Sequence, residues 1–417
     1  MSSIRLGTAS PATQATTAET LQLIDRLATR AASNHIDILL LPEAFLGGYP
    51  RGSDFGSVVG SRSAQGREAY AKYFQAAVDL GDVVGDGGAG AGDRWVKRQL
   101  AVPEGEEYRG DGTREELERI ARETGVFHVT GLVERTGGSL YCAVVYVCPH
   151  KGSVGKRRKV LPTGTERLIW AQASPSTLRA VSTVIRGTRI NLAAAICWES
   201  YMPLLRQSLY NQNVNLYLAP TADARDAWLS LMRSIGVEGR CFVVSSNMAV
   251  RAGQDAHVST NGHPAATARD GGRRFSCSAD EPGMDIALPK SGSPSRTRRR
   301  RKSIFDPDGN EIVLSCPVDE NGVATTMMTT AAPTKVDDTA VTDKSAWSCR
   351  GGSCIVDPFG EVLAGPQWED DEGMISADVD FQKCIQGRLD LDAGGSYSRN
   401  DVFKLTVAGL DMEPLPY

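Results

Sequence analysis

Long apolar runs are missing from this chain of 417 residues: no stretch approaches the ~20 apolar residues that a membrane helix needs. The opening MSSIRLGTASPATQATTAETL likewise holds no apolar stretch of signal-peptide length. Together these absences make the cytosol the expected compartment and argue against a membrane partner. Histidine is scarce, with His35, His128, His150, His257 and His263 dispersed along the chain, and no CxxC pair occurs. A zinc or other metal site is therefore not expected. The nine cysteines are an odd number without a repeated spacing, which speaks against a disulfide framework. If cysteine does chemistry here, it does so as a single thiolate. A net charge of only -4 gives no global attraction to nucleic acid or anionic membrane.

What is present fits an ordinary globular protein, with 41% hydrophobic and 23% charged residues, and the length leaves one or two domains open. Strands and helices alternate over the first 250 residues. Residues 4–8 read as a strand, and Leu21, Ile24, Leu27, Ala28 and Ala31 form a helical stripe. The continuous apolar run 36–41 suits a strand covered on both faces. Thr113 with Glu116 is a capping-box pattern that would open a helix through Leu117, Ile120 and Ala121. Residues 126–134 and 140–147 read as two strands joined by a glycine turn, and 190–196 as a buried strand ending at Cys197. A helix through Leu204, Leu205 and Leu209, a strand at 215–218, a helix at 227–237 and a strand at 242–246 follow. This order predicts a layered α/β protein.

Two segments depart from the pattern. Residues 81–93, rich in Gly and Asp, read as an exposed loop. Residues 251–346 form a polar insertion containing the run RTRRRRKS at 296–303, a pattern more ordinary as a solvated surface loop than as a nucleic-acid signal. Residues 351–365 then read as a hairpin and 374–379 as a last strand, while 385–417 lack periodicity and read as an arm on the body or on a neighbouring subunit.

Three segments share one form, an apolar strand running into a polar residue at its carboxyl end, where open α/β sheets build their sites. They are LLLPEAFLGGYP with Glu43, GKRRKVLPTGTERLIW with Lys159 and Glu166, and LAAAICWESYMPLL with Cys197. A cysteine at a strand-to-helix junction faces the positive helix end, which favours thiolate. Glu43 between apolar neighbours would have a raised pKa, useful in proton transfer. Each residue alone also has an ordinary reading: a small core cysteine, a helix-cap carboxylate, and a solvated face of Lys156, Arg157, Arg158 and Lys159.

Together, the segments LPEAFLGGYPRG, GKRRKVLPTGTERLIWAQ, AAAICWESYMPLLR and LAPTADARDAW resemble, in this order, the signature segments of the nitrilases, a branch of the carbon–nitrogen hydrolase superfamily. The likeness covers roughly 4–250 and resumes at 350–405. It implies a four-layer α-β-β-α sandwich with a C-terminal arm: one domain over 1–405 that includes the insertion at about 251–346, then a tail at 406–417. It further implies Cys197 as nucleophile, Glu43 as general base, Lys159 and Glu166 as their partners, and Tyr49, Trp170 and Trp198 as substrate-pocket residues. The implied reaction converts a small-molecule nitrile to acid and ammonia without any cofactor, in a homo-oligomer whose dimers extend into a spiral or filament. A hydratase or amidase on the same scaffold is the nearest alternative, and a non-catalytic scaffold protein a more distant one. Where many nitrilases carry a Gly-His-Tyr-Ser-Arg-Pro stretch, this chain has GSYSRN, with Ser396 and Asn400.

Overall fold

Two sheets are built from the apolar runs, and each run alternates its side chains between two buried faces. The structure is a computed structural model that describes residues 3–98, 100–253, 301–305, 311–315 and 346–417. The first sheet orders its strands as Met374–Val379, Ile4–Ala9, Ile38–Leu40, Phe127–Thr136, Ser139–Cys148, Gly152–Arg158 and Gly90–Ala91. The second runs Ala249–Arg251, Trp347–Val356, Phe242–Asn247, Leu216–Thr221, Thr188–Ala194 and Val181–Ile185, and Val362–Trp368 also pairs with Trp347–Val356. Both are mixed: Ile4–Ala9, Ile38–Leu40 and Phe127–Thr136 run parallel, as do Thr188–Ala194, Leu216–Thr221 and Phe242–Asn247, with antiparallel neighbours outside them.

The period of two along a strand decides what each residue covers. Leu192, Ala194, Leu218 and Val244 meet Leu6, Ile38, Leu40 and Val129 in the core between the sheets. Their strand neighbours Ala193, Tyr217, Ala219 and Val243 turn outward under helices Pro203–Tyr210 and Asp226–Gly239, whose Leu205, Leu209, Trp228, Met232 and Ile235 cover them. On the other side Ile24, Leu27 and Ala28 of helix Thr17–Ser33 and Leu117, Ile120 and Ala121 of helix Thr113–Thr124 cover Leu39, Leu41 and Leu132. The layers are helix, sheet, sheet, helix.

The chain divides into one compact unit of residues Met1–His263 with Lys344–Tyr417 and a second of Pro264–Asp343. In the second unit strands Arg301–Phe305 and Glu311–Ser315 form an antiparallel pair. The remainder of the basic run at 296–303, and most of the 251–346 insertion, lie outside the described residues. No helix among the described residues is long and apolar enough to cross a membrane.

Three local expectations are corrected. Thr113 does not cap its helix: Gly112 holds the cap position in a left-handed conformation, and Asp111 Oδ1 accepts the Thr113 N–H at 3.0 Å. Residues 81–93 are not simply an exposed loop. Asp82 is buried, and Gly90–Ala91 adds a short strand beside Gly152–Arg158. The cations 156–158 are not a solvated face either; all three are buried. Lys156 Nζ donates to Asp82 at 2.5 Å and Glu134 at 2.6 Å, and Arg158 forks onto both Glu134 oxygens, so each buried charge has a partner. The tail lies along its own chain, with Asn213 Nδ2 donating to the Leu415 carbonyl at 2.8 Å and Asn191 Nδ2 to that of Pro416 at 2.9 Å.

His128, fully buried on the first sheet, is pushed down to about 4 by burial, against the opposing hydrogen bond to the Leu117 carbonyl. An unfolded histidine titrates near 6.5, so below that pH the unfolded chain binds a proton that the folded one refuses. Its neutral form is fully compatible with folding above pH ~6.5. Stability is expected to fall by about 1.4 kcal/mol per pH unit from there toward pH 4. Urea unfolding across this range, compared with a His128→Asn variant, measures it; an unchanged slope in the variant would remove His128 as the source.

Candidate active site

Glu43, Lys159 and Cys197 each stand just beyond a strand: Ile38–Leu40, Gly152–Arg158 and Thr188–Ala194 respectively. The first two strands belong to one sheet and the third to the other. Glu166 comes from the single 3₁₀ turn Gly164–Leu168. The Pro42–Glu43 backbone passes close over Gly131, where a Cβ would lie 2.1 Å from the Pro42 carbonyl oxygen, so only glycine leaves room. Lys159 is tied to the sheet by its own N–H, which donates to the Cys142 carbonyl at 2.7 Å.

The four residues converge. Lys159 Nζ donates to Glu43 Oε1 at 2.7 Å and to Glu166 Oε2 at 2.8 Å, and all three side chains are buried. Burial alone would discharge the ammonium, but the attraction of Glu43 and the other anionic partners holds the Lys159 pKa well above its usual value. Burial raises the Glu43 pKa despite Lys159, and the neighbouring Glu166 raises it further. Glu43 Oε1 also receives the Cys142 thiol at 3.5 Å, whereas Glu43 Oε2 is buried with no hydrogen-bond partner of ordinary geometry. The Cys197 thiol acts on this carboxylate as a donor, lowering its pKa. A buried carboxylate oxygen without a partner is an acceptor held ready for a proton.

Cys197 sits at φ 54°, a left-handed conformation that costs a residue with a Cβ on the order of 1–3 kcal/mol. The sharp turn lifts the sulfur off the strand end to the floor of a cavity of about 520 Å³. Its thiol is pushed up, first by burial and then by the Glu43 charge. Both causes oppose the thiolate that the strand-to-helix position favours. The helical element after Cys197 is one five-residue 3₁₀ turn, Cys197–Tyr201, and its field does not offset burial beside a carboxylate. Thr221 Oγ1 at 3.2 Å from the sulfur and the Ala222 N–H act in the opposite direction, favouring thiolate.

Glu199, two residues on, is a brace. Its Oε1 accepts from Arg157 Nη2 and the Val160 N–H, both at 2.7 Å, while Oε2 accepts the Ile196 N–H at 2.8 Å. One buried carboxylate thus joins the backbone after Lys159 to the backbone before Cys197. Glu199→Ala should cost about 3–5 kcal/mol, because it leaves Arg157 buried without its carboxylate. A denaturant midpoint unchanged from wild type would show that the brace carries no load.

Of the three aromatic residues expected at the pocket, two line it. Tyr49 donates its hydroxyl to Glu166 Oε1 at 2.9 Å, and Trp198, 38% exposed, donates its indole N–H to Asp223 Oδ2 at 2.8 Å. Trp170 is placed behind the wall. It is buried edge-on against Tyr49, with its ring centroid 5.6 Å away and Lys159 Nζ 5.6 Å above the ring. Thr221, Cys142 and Glu199 were not singled out from sequence. Thr221 does fall within the LAPTADARDAW segment and Glu199 beside the cysteine, which are the only signals either offered. Among the described residues no group of three or more His, Cys, Asp or Glu is arranged to hold a metal ion.

The arrangement suits a thiol nucleophile with a carboxylate base and a fixed cation opposite. Comparison with known proteins agrees in kind. The carbon-nitrogen hydrolase family profile matches residues 4–288. The chain is 34% identical over 398 residues to an arylacetonitrilase of Trametes versicolor, covering 93% of this chain and 91% of that protein. It is 32% identical to an aliphatic nitrilase of Sinorhizobium fredii, covering 96% and 92%, and 33% identical to a bifunctional nitrilase/nitrile hydratase of Lupinus angustifolius, covering 96% and 84%. Among solved structures, a carbon-nitrogen hydrolase from Helicobacter pylori shares the fold with a TM-score of 0.52 at 13% identity, covering 96% of this chain and 98% of that one.

Proposed function

This chain belongs to the carbon–nitrogen hydrolase family and is a nitrilase, and from that premise we propose that Cys197, Glu43, Lys159 and Glu166 carry the reaction through covalent thioimidate and thioester intermediates. The observation that supports this most directly is the buried Glu43 carboxylate, whose Oε2 is otherwise unpartnered, within reach of the Cys197 thiol. Attack and deprotonation then occur together: sulfur bonds to the nitrile carbon as Glu43 takes its proton. The nitrile nitrogen gains electron density opposite Lys159 and the Trp198 backbone N–H, and a proton delivered from Glu43 or Lys159 gives the neutral thioimidate. Water activated by Glu43 adds to its carbon, the tetrahedral adduct expels ammonia, and a thioester remains. A second water releases the carboxylic acid and restores the thiol. Glu166 keeps Lys159 charged and oriented, and Tyr49 in turn orients Glu166.

The step that separates acid from amide is the collapse of the tetrahedral adduct, which expels either ammonia or the Cys197 sulfur. Incubation with a panel of aliphatic, aromatic and arylacetonitriles, with acid, amide and ammonia quantified by chromatography, tests the reading. Acid and ammonia in equal amounts are expected. Amide as the main product would make the enzyme a hydratase on the same site. A homo-oligomer, dimers extending into a spiral or filament, belongs to the same proposal, and light scattering of the purified protein would show a monomer if it is wrong.

A further inference from the structure

Three arginines line the cavity above Cys197: Arg51, Arg225 and Arg350. Two of them are neutralised. Arg225 forks onto Asp223 with contacts of 2.9 and 2.6 Å, and Arg350 Nε donates to Glu369 at 2.8 Å. The charge of Lys159, deeper in the site, is met by Glu43 and Glu166. Arg51 differs. Among the described residues it has no carboxylate partner; its Nη2 donates to the Ala222 carbonyl at 2.9 Å and to the Cys349 sulfur at 3.3 Å. Its guanidinium also lies 5.4 Å from the centre of the Tyr49 ring. Both hydrogen bonds use one nitrogen and reach neutral acceptors, which leaves Nε–H and Nη1–H as separate single donors of an unneutralised guanidinium.

We propose that Arg51 is a subsite for a carboxylate carried by the substrate, so that the favoured nitriles are short cyano acids. The proposal rests on the nitrilase reading and adds the substrate class to it. A charged guanidinium held by neutral acceptors can give a carboxylate a charge-assisted hydrogen bond from Nε or Nη1, roughly twice as strong as one to a neutral ester. The distance is also set by the fold. Ala222 touches both ends: its N–H acts on the Cys197 sulfur and its carbonyl receives Arg51. Arg51 Nη2 is therefore roughly 9 Å or less from the sulfur, given two polar contacts and the span of one residue. After allowing about 3 Å at each end for the attacking sulfur and the ion pair, about 3 Å is left, so the carboxylate falls within about three bonds of the cyano carbon. Tyr49 and Trp198 supply the flat walls between.

The test compares 3-cyanopropanoate with its methyl ester, two nitriles that differ in charge at that position. Wild type is expected to favour the acid by about 10- to 100-fold in kcat/KM, mostly through KM, with the preference shrinking at high salt. Arg51→Gln should bring the acid-to-ester ratio to about one. Calorimetric titration of Cys197→Ala, which needs no turnover, should show the same preference, and the added Arg51→Gln change should abolish it. A wild-type ratio near one would overturn the proposal. So would an Arg51→Gln variant in which acid and ester fall in step, since that is the signature of a strut between Tyr49, Ala222 and Cys349. If neither nitrile were hydrolysed while Cys197→Ala still bound the acid through Arg51, the nitrilase reading would fail and the anion subsite would stand.

Discussion

Cys197→Ala is expected to lower ammonia release from any nitrile substrate by at least ~10⁴-fold while leaving the thermal unfolding transition close to that of wild type. The size of the loss follows from the geometry of the site. Of the other described cysteines, Cys349 lines the same cavity and Cys142 lies 3.5 Å from Glu43, but only Cys197 both lines the cavity and acts on Glu43, so none replaces its sulfur. Removing a nucleophile leaves only the positioning effect of the pocket, and such variants retain a small residue of catalysis above water. The fold should persist because the change deletes one atom next to a cavity, and alanine accepts the φ of 54° at a cost like that of cysteine. The measurement pairs ammonia release with iodoacetamide labelling followed by peptide mapping. Wild type should carry its label at Cys197 before any other cysteine, and full activity in the alanine variant would remove that sulfur from the reaction.

The apolar runs at 36–41 and 190–196 showed doubly covered strands in advance, because such a strand has to be apolar throughout, but whether they lay in one sheet or two came only from the family resemblance. The position of Glu43 and Cys197 just past such runs was legible for the same reason, whereas Lys159 follows the charged strand end Lys156-Arg157-Arg158. What the sequence could not show are quantities that exist only after folding. A solvated face was the ordinary alternative for Lys156, Arg157 and Arg158. Alternation along the strand instead sends Lys156 and Arg158 toward Asp82 and Glu134, and Arg157 toward Glu199, partners far away in the chain. For Cys197 a local dipole that favours thiolate could be read from the sequence, while burial and the Glu43 charge that oppose it could not. Trp170 was grouped with Tyr49 and Trp198 by the family resemblance; packing sets its ring edge-on to that of Tyr49 and off the cavity lining. Thr221 carries a hydroxyl like many others until its strand end arrives 3.2 Å from the sulfur.

Glu43→Gln is expected to reduce kcat/KM by at least ~10²-fold, the usual value of a placed acid–base group, and to change the pH profile as well as its height. The wild-type acid limb reports the carboxyl that must be ionised to receive the thiol proton. Burial raises that carboxyl, so activity should begin to fall at a pH above the ordinary carboxylate range near 4.3 as the solution is made more acid. Glutamine keeps an oxygen at the Lys159 contact but accepts no proton, so this limb should disappear. Residual activity should then rise with pH, because thiolate forms only as hydroxide removes the proton from Cys197. Loss of the Glu43 charge eases that ionisation, since the charge is the second cause that holds the thiol up, but burial, the first, remains. Glu43→Asp separates charge from reach: it restores an anion with its oxygens drawn back from Lys159 Nζ and the sulfur, and should recover little of the rate. A Glu43→Gln enzyme with wild-type kcat/KM, or with the same acid limb, would place the base elsewhere and leave the unpartnered Oε2 without a catalytic role.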